Sequence, residues 1–293
     1  MLHESDLNLI LFNLFKNRIR MAGIFDIFRK KKVFKEYEFR TVDFNLADEG
    51  PIQYAQWLHP GEFGNEVTQE NVNFFKQFIK KGDFVIDIGA NEGDTTVPMA
   101  LAAGVTGTTL GLEPNPHVFK VLKVNADLNK EKTNIIPLNF AATAEDGEFV
   151  FGSGDPSYGN GGIVGFTHNE KRNTRYTFQV TGKNLNRYLN RHHSELISKL
   201  TFIKIDTEGY DKEIIKTIPD LINKCRPHMV TECFGPSTKE EKLELFDLLT
   251  SLKYSLYRLD HFNMDVHPLM TRADVVAKKT YNILGIPVEL ETN

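Results

Sequence analysis

From residue 82 onward, short apolar runs alternate with amphipathic stretches, and few architectures absorb that pattern. The runs Phe84–Ile88, Thr108–Leu112, Asn134–Phe140, Phe202–Asp206 and Met229–Cys233 read as strands. Helical patterns fill 94–103, 116–129, 211–224 and 239–252; in the last, Leu243, Phe246, Leu249 and Leu252 share one face opposite Lys and Glu. Strand and helix repeated in this way predict an α/β protein with a parallel sheet and helices on both faces. Two later runs, Tyr254–Leu259 and Asp274–Lys278, are joined by a polar link holding Pro268 and are expected to pair antiparallel at the sheet edge. Residues 36–81 read as an N-terminal cap with a helix over Gln69–Lys80. The absence of repeats and linkers predicts one main domain over 82–280, with a tail at 281–293.

The charge is unevenly placed. Against 39 acidic residues stand 35 basic ones, net −4. Residues 1–35 hold eight bases (Lys16, Arg18, Arg20, Arg29, Lys30, Lys31, Lys32, Lys35) and three acids (Glu4, Asp6, Asp26), a local +5 that leaves −9 for the rest. An acidic body disfavours a nucleic-acid partner. The basic arm, with Leu7, Ile10, Leu11, Leu14 and Phe15 at helical spacing, suits either peripheral contact with a membrane or docking on its own domain. Leu7–Phe15 is far short of the ~20 residues that span a bilayer, and it follows acids rather than the basic segment of a secretory signal. Cys225 and Cys233 are too few for a disulfide framework. A cytoplasmic location is expected, and Met21 offers an alternative start.

The run Phe84-Val-Ile-Asp87-Ile-Gly89-Ala90-Asn91-Glu-Gly93 carries the strongest chemical signal. A buried strand ends in an acid, and a glycine turn then opens a helix, so the backbone can approach a ligand closely. A dinucleotide and S-adenosylmethionine both fit such a turn. Three features favour the second: the spacing is Gly-x-x-x-Gly, Asp87 would repel a pyrophosphate but suit a methionine ammonium, and no Tyr-x-x-x-Lys occurs. Glu113, ending the next strand, can accept hydrogen bonds from both ribose hydroxyls. Between Gly152 and Gly165 stand Gly154, Gly159, Gly161 and Gly162, with Pro156 and Tyr158. So much glycine predicts a loop outside the core, lying over an active site.

Asp87-Ile-Gly-Ala-Asn-Glu-Gly93 with Thr96, Glu113-Pro-Asn-Pro116 and Ile203-Lys-Ile-Asp206-Thr-Glu-Gly209 together resemble the FkbM-type family of S-adenosylmethionine-dependent methyltransferases, over about residues 66–235. The resemblance implies a Rossmann-like class I methyltransferase fold, with a seven-stranded, mostly parallel sheet whose last strand is antiparallel. It also implies O-methylation, usually of sugar hydroxyls in glycans, glycolipids or natural products. By position, Gly89, Ala90, Asn91 and Gly93 would cradle the methionine part, Glu113 the ribose, and Asn115 the ribose or adenine edge. Ala141 and Ala142 would lie beside the adenine. Where the family commonly has Leu-Asp-Asp-Leu, this chain reads Leu185-Asn-Arg-Tyr-Leu189, and the resemblance fades after 236. Asp155-Pro-Ser-Tyr158 looks like the Asp-Pro-Pro-Tyr signature of amino-methyltransferases, but it stands far before the fourth strand and reads as a proline turn.

Methyl transfer to a hydroxyl needs a base near the acceptor oxygen. Asp206, at the carboxyl end of the fourth strand, is the first choice, followed by Glu208 and Glu232. Glu208 has capping of the following helix as its alternative role. Lys204 shares a strand face with Asp206, and its alternative role is an ion pair with Asp206 or Asp87. A Mg²⁺ ion on Asp206, Glu208 and Glu232 is a competing mechanism. The other functional readings are a dinucleotide-dependent oxidoreductase of a sugar-like substrate, and a methyltransferase with a protein or RNA acceptor.

Overall fold

The computed structural model describes residues 35–61, 64–155, 157, 161–165, 176–265, 267–276 and 279–291. The basic arm over 1–34, Pro156, Tyr158 and Gly159 lie outside the described residues, as do the expectations attached to them.

Before the alternation begins, β1 (Phe39–Leu46) and β2 (Gly50–Trp57) pair as an antiparallel hairpin. Helix α1 (Gln69–Lys76) follows, started by a capping box between Thr68 and Asn71. The alternation then runs β3 (Phe84–Ile88), α2 (Thr96–Ala103), β4 (Thr108–Leu112), α3 (Pro116–Asp127) and β5 (Ile135–Leu138). Next come β6 (Ala141–Ala142), β7 (Gly147–Ser153), β8 (Gly161–Ile163) and β9 (Tyr176–Lys183), then α4 (Leu185–His192). The chain finishes with β10 (Leu200–Ile205), α5 (Asp211–Thr217), α6 (Pro219–Cys225), β11 (His228–Cys233), α7 (Lys239–Ser251), β12 (Tyr254–Leu259) and β13 (Tyr281–Pro287). The main sheet has seven strands in the order β12-β13-β11-β10-β3-β4-β5. Only β13 runs antiparallel to its neighbours. Every residue of β3 and β4 is buried, as a parallel strand covered on both faces requires.

Three expectations are corrected. Asp274–Lys278 is not the partner strand of β12: Asp274–Val276 is a 3₁₀ turn, closed by Thr271 N–H and Oγ1–H donating to Asp274 Oδ2 (both 2.7 Å). That partner is β13, so the sheet extends into the segment read as a tail. Tyr281, Ile283 and Leu284 are buried there because β13 is paired along both edges. The helix expected over 211–224 is broken at Pro219, whose ring disfavours a helical residue before it; Ile218 adopts φ −124° and ψ 30°.

The glycine-rich segment is the third correction. It contributes the end of β7 and all of β8 to a second, four-stranded sheet ordered β6-β9-β7-β8, with Gly152 and Gly162 buried. Its glycine content follows from a close crossing. A Cβ on Gly161 would stand 2.5 Å from both the Gly152 carbonyl oxygen and the Phe151 ring. Asp155 Oδ1 accepts the Ser157 N–H (2.7 Å).

The cap is tied directly to the sheet body. Asn125 of α3 accepts from Ala55 N–H (2.7 Å) and donates to Ala55 O (3.0 Å) and Glu92 O (2.7 Å). The buried Glu92 carboxyl accepts from Trp57 N–H (2.7 Å) and Tyr54 O–H (3.1 Å). One amide and one carboxyl thus lock strand β2 to the loop that follows β3. Asn125→Ala removes three hydrogen bonds and strands buried backbone groups, and is expected to cost about 2–4 kcal/mol in urea unfolding. A loss below about 0.5 kcal/mol would show that this junction does not hold the cap.

Candidate active site

The site begins where β3 ends. Gly89 turns the chain at φ +80°, and a Cβ there would lie 1.8 Å from the Asp206 carbonyl oxygen. No other residue permits that approach. Gly89 and Ala90 N–H donate to Leu112 O (3.0 and 2.9 Å), while Asp206 N–H donates to Ile88 O (2.9 Å). The turn is therefore pinned to the strands on either side of it. Asn91 continues at φ +47°, a left-handed conformation that asparagine tolerates better than most residues. Gly93 closes the turn at φ +104°.

Glu113 is the hub of the adjoining wall. Its Oε2 accepts Asn91 N–H (3.0 Å) and its Oε1 accepts Asn115 N–H (2.7 Å), which leaves each oxygen a further acceptor position. Burial pushes its carboxyl up to about 7, against the pull of those two N–H groups. Asn115 caps α3 by accepting His117 N–H (3.0 Å), and Pro116 occupies the first turn. His117 packs its ring edge against Phe178 and does not line the cleft.

Lys204 and Asp87 lie in register on β10 and β3. Lys204 Nζ stands 3.3 Å from Asp87 Oδ1 and 3.4 Å from Asp206 Oδ2. Burial alone would lower the ammonium pKa, but Asp87, Asp206 and Asp94 outweigh it and hold the pKa above its ordinary value. The other Asp87 oxygen accepts from Thr95 Oγ1 (2.8 Å) and Thr96 Oγ1 (2.7 Å).

These elements enclose a cleft of about 400 Å³, within the range of small-ligand sites. Glu113, Asn115, Phe140, Ala141 and Ala142 line one side. Asn91, Asp94, Thr95, Asp206 and Glu208 line another, and Phe151 with the β8 strand and Phe262 complete the wall. Of the residues expected from sequence, Gly89, Asn91, Glu113, Asn115, Ala141, Ala142, Lys204, Asp206 and Glu208 reach the cleft. Asp87, Ala90, Gly93 and Thr96 do not; they shape the turn from behind, so the Asp87 carboxylate serves Lys204 and two threonines. Glu208 sits at φ +56° and lines the cleft, and the N-cap residue of α5, Tyr210, makes no side-chain cap hydrogen bond.

Glu232 also lies elsewhere, on a recess of about 20 Å³ beside Asp211 and Lys242. Burial, with Asp206, Asp211 and Glu208 nearby, pushes its carboxyl pKa well above the ordinary value. Among the described residues no three His, Cys, Asp or Glu side chains come together as a metal site, so the magnesium alternative finds no ligand set there. Sequence reasoning missed Asp94, Phe140, Phe151 and Phe262. Asp94 directly follows the second glycine of the motif, a signal that was available; Phe151 and Phe262 arrive from distant segments and had none.

A seven-stranded sheet with one antiparallel strand beside its edge, a glycine turn after the central strand and an acid after the next define the S-adenosylmethionine-dependent methyltransferase class. The chain matches the methyltransferase FkbM domain over residues 87–259 and belongs to that family. No curated protein matches the sequence. Among solved structures, an FkbM methyltransferase from Methylobacillus flagellatus is 14% identical over 71% of this chain and 44% of its own, with a TM-score of 0.45. This chain thus spans less than half the length of that protein. An S-adenosylmethionine-dependent O-methyltransferase from Thermotoga maritima is 15% identical over 78% of this chain and 69% of its own, with a TM-score of 0.36. A tRNA (uracil-54, C5)-methyltransferase from Pyrococcus abyssi, solved with S-adenosyl-L-homocysteine, is 13% identical over 86% and 44%, with a TM-score of 0.40.

The residues present fit the methyl donor. The glycine turn leaves room for backbone approach, the paired Glu113 oxygens suit a diol, and the carboxylates suit a cation. Glu113→Ala is expected to weaken S-adenosylhomocysteine binding by about 10- to 100-fold in calorimetry; unchanged affinity would remove Glu113 from the ribose.

Buried carboxyls give the site a pH signature. Glu92 and Glu113 rise from 4.5 to about 7, and Asp94 and Asp211 rise from 3.8 to about 6, each chiefly by burial. A carboxyl with a raised folded pKa keeps a proton that the unfolded chain has lost. Its contribution to stability is therefore full below the unfolded value and is lost as pH rises through the folded one. The melting temperature of the ligand-free protein should fall between pH 5 and pH 8, less steeply in Glu92→Gln. A rise over that interval would contradict these environments.

Proposed function

We propose that the protein is an O-methyltransferase whose acceptor is a hydroxyl group, most specifically a sugar hydroxyl of a glycan, glycolipid or glycosylated natural product. The supporting observation is Asp206: it stands at the carboxyl end of a central strand, its side chain about one-third exposed, on the wall of the cleft that also holds Glu113.

The donor supplies a methyl group on a positively charged sulfur that leaves as a neutral thioether. The protein's part begins with placement. Glu113 and Asn115 would hold the nucleoside end, Ala141 and Ala142 would leave space for a flat base, and the Gly89 turn would offer its backbone to the methionine end. Holding donor and acceptor in line supplies much of the acceleration. Asp206 accepts the proton that the acceptor hydroxyl loses as its oxygen forms the new bond to carbon. Lys204 acts through Asp206: their contact, 3.4 Å, holds the carboxylate in one orientation. Glu208 lies on the same wall and serves to orient the acceptor. Glu232, in a separate recess, takes no part as a base.

Replacing Asp206 with Asn keeps the shape and removes the base. Turnover with a sugar acceptor is expected to fall about 10²- to 10⁴-fold, with S-adenosylhomocysteine affinity retained within a few-fold. Wild-type turnover in Asp206→Asn would reassign the base.

A further inference from the structure

The cap reaches the cofactor turn through one side chain. Within the turn from Gly89 to Gly93, Asn91 lines the cleft, while Glu92, next in sequence, is fully buried on the cap side. Glu92 Oε2 accepts Trp57 N–H (2.7 Å) and Oε1 accepts Tyr54 O–H (3.1 Å), both from β2. Its backbone carbonyl accepts Asn125 Nδ2 (2.7 Å), from the same amide that holds Ala55 of β2. One residue earlier, Asn91 N–H donates to Glu113 Oε2 (3.0 Å). The peptide plane between the two residues is rigid, so a displacement at Glu92 is carried to Asn91.

A carboxyl is a costly choice for this position. Trp57 N–H and Tyr54 O–H are neutral partners, and the nearby Asp94 disfavours a charge on Glu92. Burying a carboxyl against neutral groups costs stability that an apolar side chain of similar size would not. Packing therefore does not explain it. Two acceptor atoms aimed at two donors on one strand fix the turn in direction as well as in place. Asn91 shows why direction matters: at φ +47° it holds a left-handed conformation that persists in a residue with a side chain only where its surroundings enforce it.

We propose that Glu92 is a positioning residue for the methyl donor. Through it the cap hairpin holds Asn91 in its left-handed conformation, and with it the N–H that orients Glu113 toward the donor's ribose. Cap docking and donor binding are then linked, each favouring the other by the same factor. The linkage concerns the donor alone and holds whatever the acceptor is.

The test is S-adenosylhomocysteine calorimetry on the full-length protein and on Glu92→Ala, Glu92→Gln and Tyr54→Phe, each checked for folding by circular dichroism. It is joined by hydrogen exchange of β2 peptides with and without S-adenosylhomocysteine. Glu92→Ala removes both acceptors and is expected to weaken binding at least about tenfold; Tyr54→Phe removes one donor and should weaken it about threefold. Glu92→Gln keeps an acceptor for Trp57 N–H and offers a donor to the Tyr54 oxygen, so its affinity should return to within about threefold of wild type. In the wild type, S-adenosylhomocysteine should slow exchange in β2, and Glu92→Ala should abolish that effect. Wild-type affinity in Glu92→Ala confines Glu92 to holding the cap and overturns the inference; where Glu92→Ala does not fold, wild-type affinity in Tyr54→Phe does the same. A Glu92→Gln affinity as poor as that of Glu92→Ala, or β2 exchange indifferent to S-adenosylhomocysteine in the wild type, also overturns it. If the wild type does not bind S-adenosylhomocysteine, the donor reading of the cleft fails and the inference fails with it.

Discussion

Everything at the active end of the sheet depends on a buried cation between two carboxylates. Lys204 and Asp87 are register neighbours on the two central strands, and Asp206 follows one strand end away. Buried charges are tolerated only when their partners are complete, since losing one leaves the other stranded in a poor solvent for ions. Asp87 meets that condition with Lys204 on one oxygen and two threonine hydroxyls on the other. Because those threonines open α2, the same carboxylate anchors the helix start and thereby the turn from Gly89 to Gly93. Lys204, held charged, then presents Asp206 to the cleft. A structural ion pair and the proposed base are thus parts of one network.

The surplus of acid around that network suits its cargo. The methyl donor brings a sulfonium and an ammonium against a single carboxylate, and the cleft answers with carboxylates and one buried lysine. Burial first, and neighbouring carboxylates second, raise the pKa values of acids at this end of the sheet, as Glu113, Asp94 and Asp211 show. A cationic ligand would relieve that strain, whereas the product, with its sulfur neutral, would relieve less of it. Such a preference would favour exchange of the product for fresh donor and would not itself speed the chemical step.

The parallel strands were legible because burial on both faces makes them continuous apolar runs: β3 and β4 stand where the sequence puts them, and β10 and β11 begin one or two residues earlier. Strand β13 was not, because Asn282 and Gly285 interrupt a run near the chain end, and its pairing along both edges is a property of the assembled sheet. The glycine-rich segment was misread as a loop for a related reason. Its glycines answer to Phe151 across the sheet, and Gly182 likewise answers to the Phe149 ring, contacts that no local pattern announces. In the site, the motif residues Gly89, Asn91, Glu113 and Asn115 line the cleft, whereas Asp87 lies behind it. The sequence offered an ion pair with Lys204 as an alternative for that lysine, and the structure places Lys204 Nζ 3.3 Å from Asp87 Oδ1. Phe262 comes to the cleft by stacking on Phe75, a contact between segments far apart in sequence.

The central claim is that the donor lies between Glu113 and the Asp206 end of the cleft. A structure of the complex with S-adenosylhomocysteine tests it most directly. The account predicts both ribose hydroxyls within hydrogen-bonding distance of the Glu113 carboxylate, roughly 2.5–3.0 Å, with the sulfur facing Asp206 and Asp87 still bound to Lys204. A ribose bound away from Glu113, or a methionine ammonium seated on Asp87 with Lys204 displaced, would contradict it.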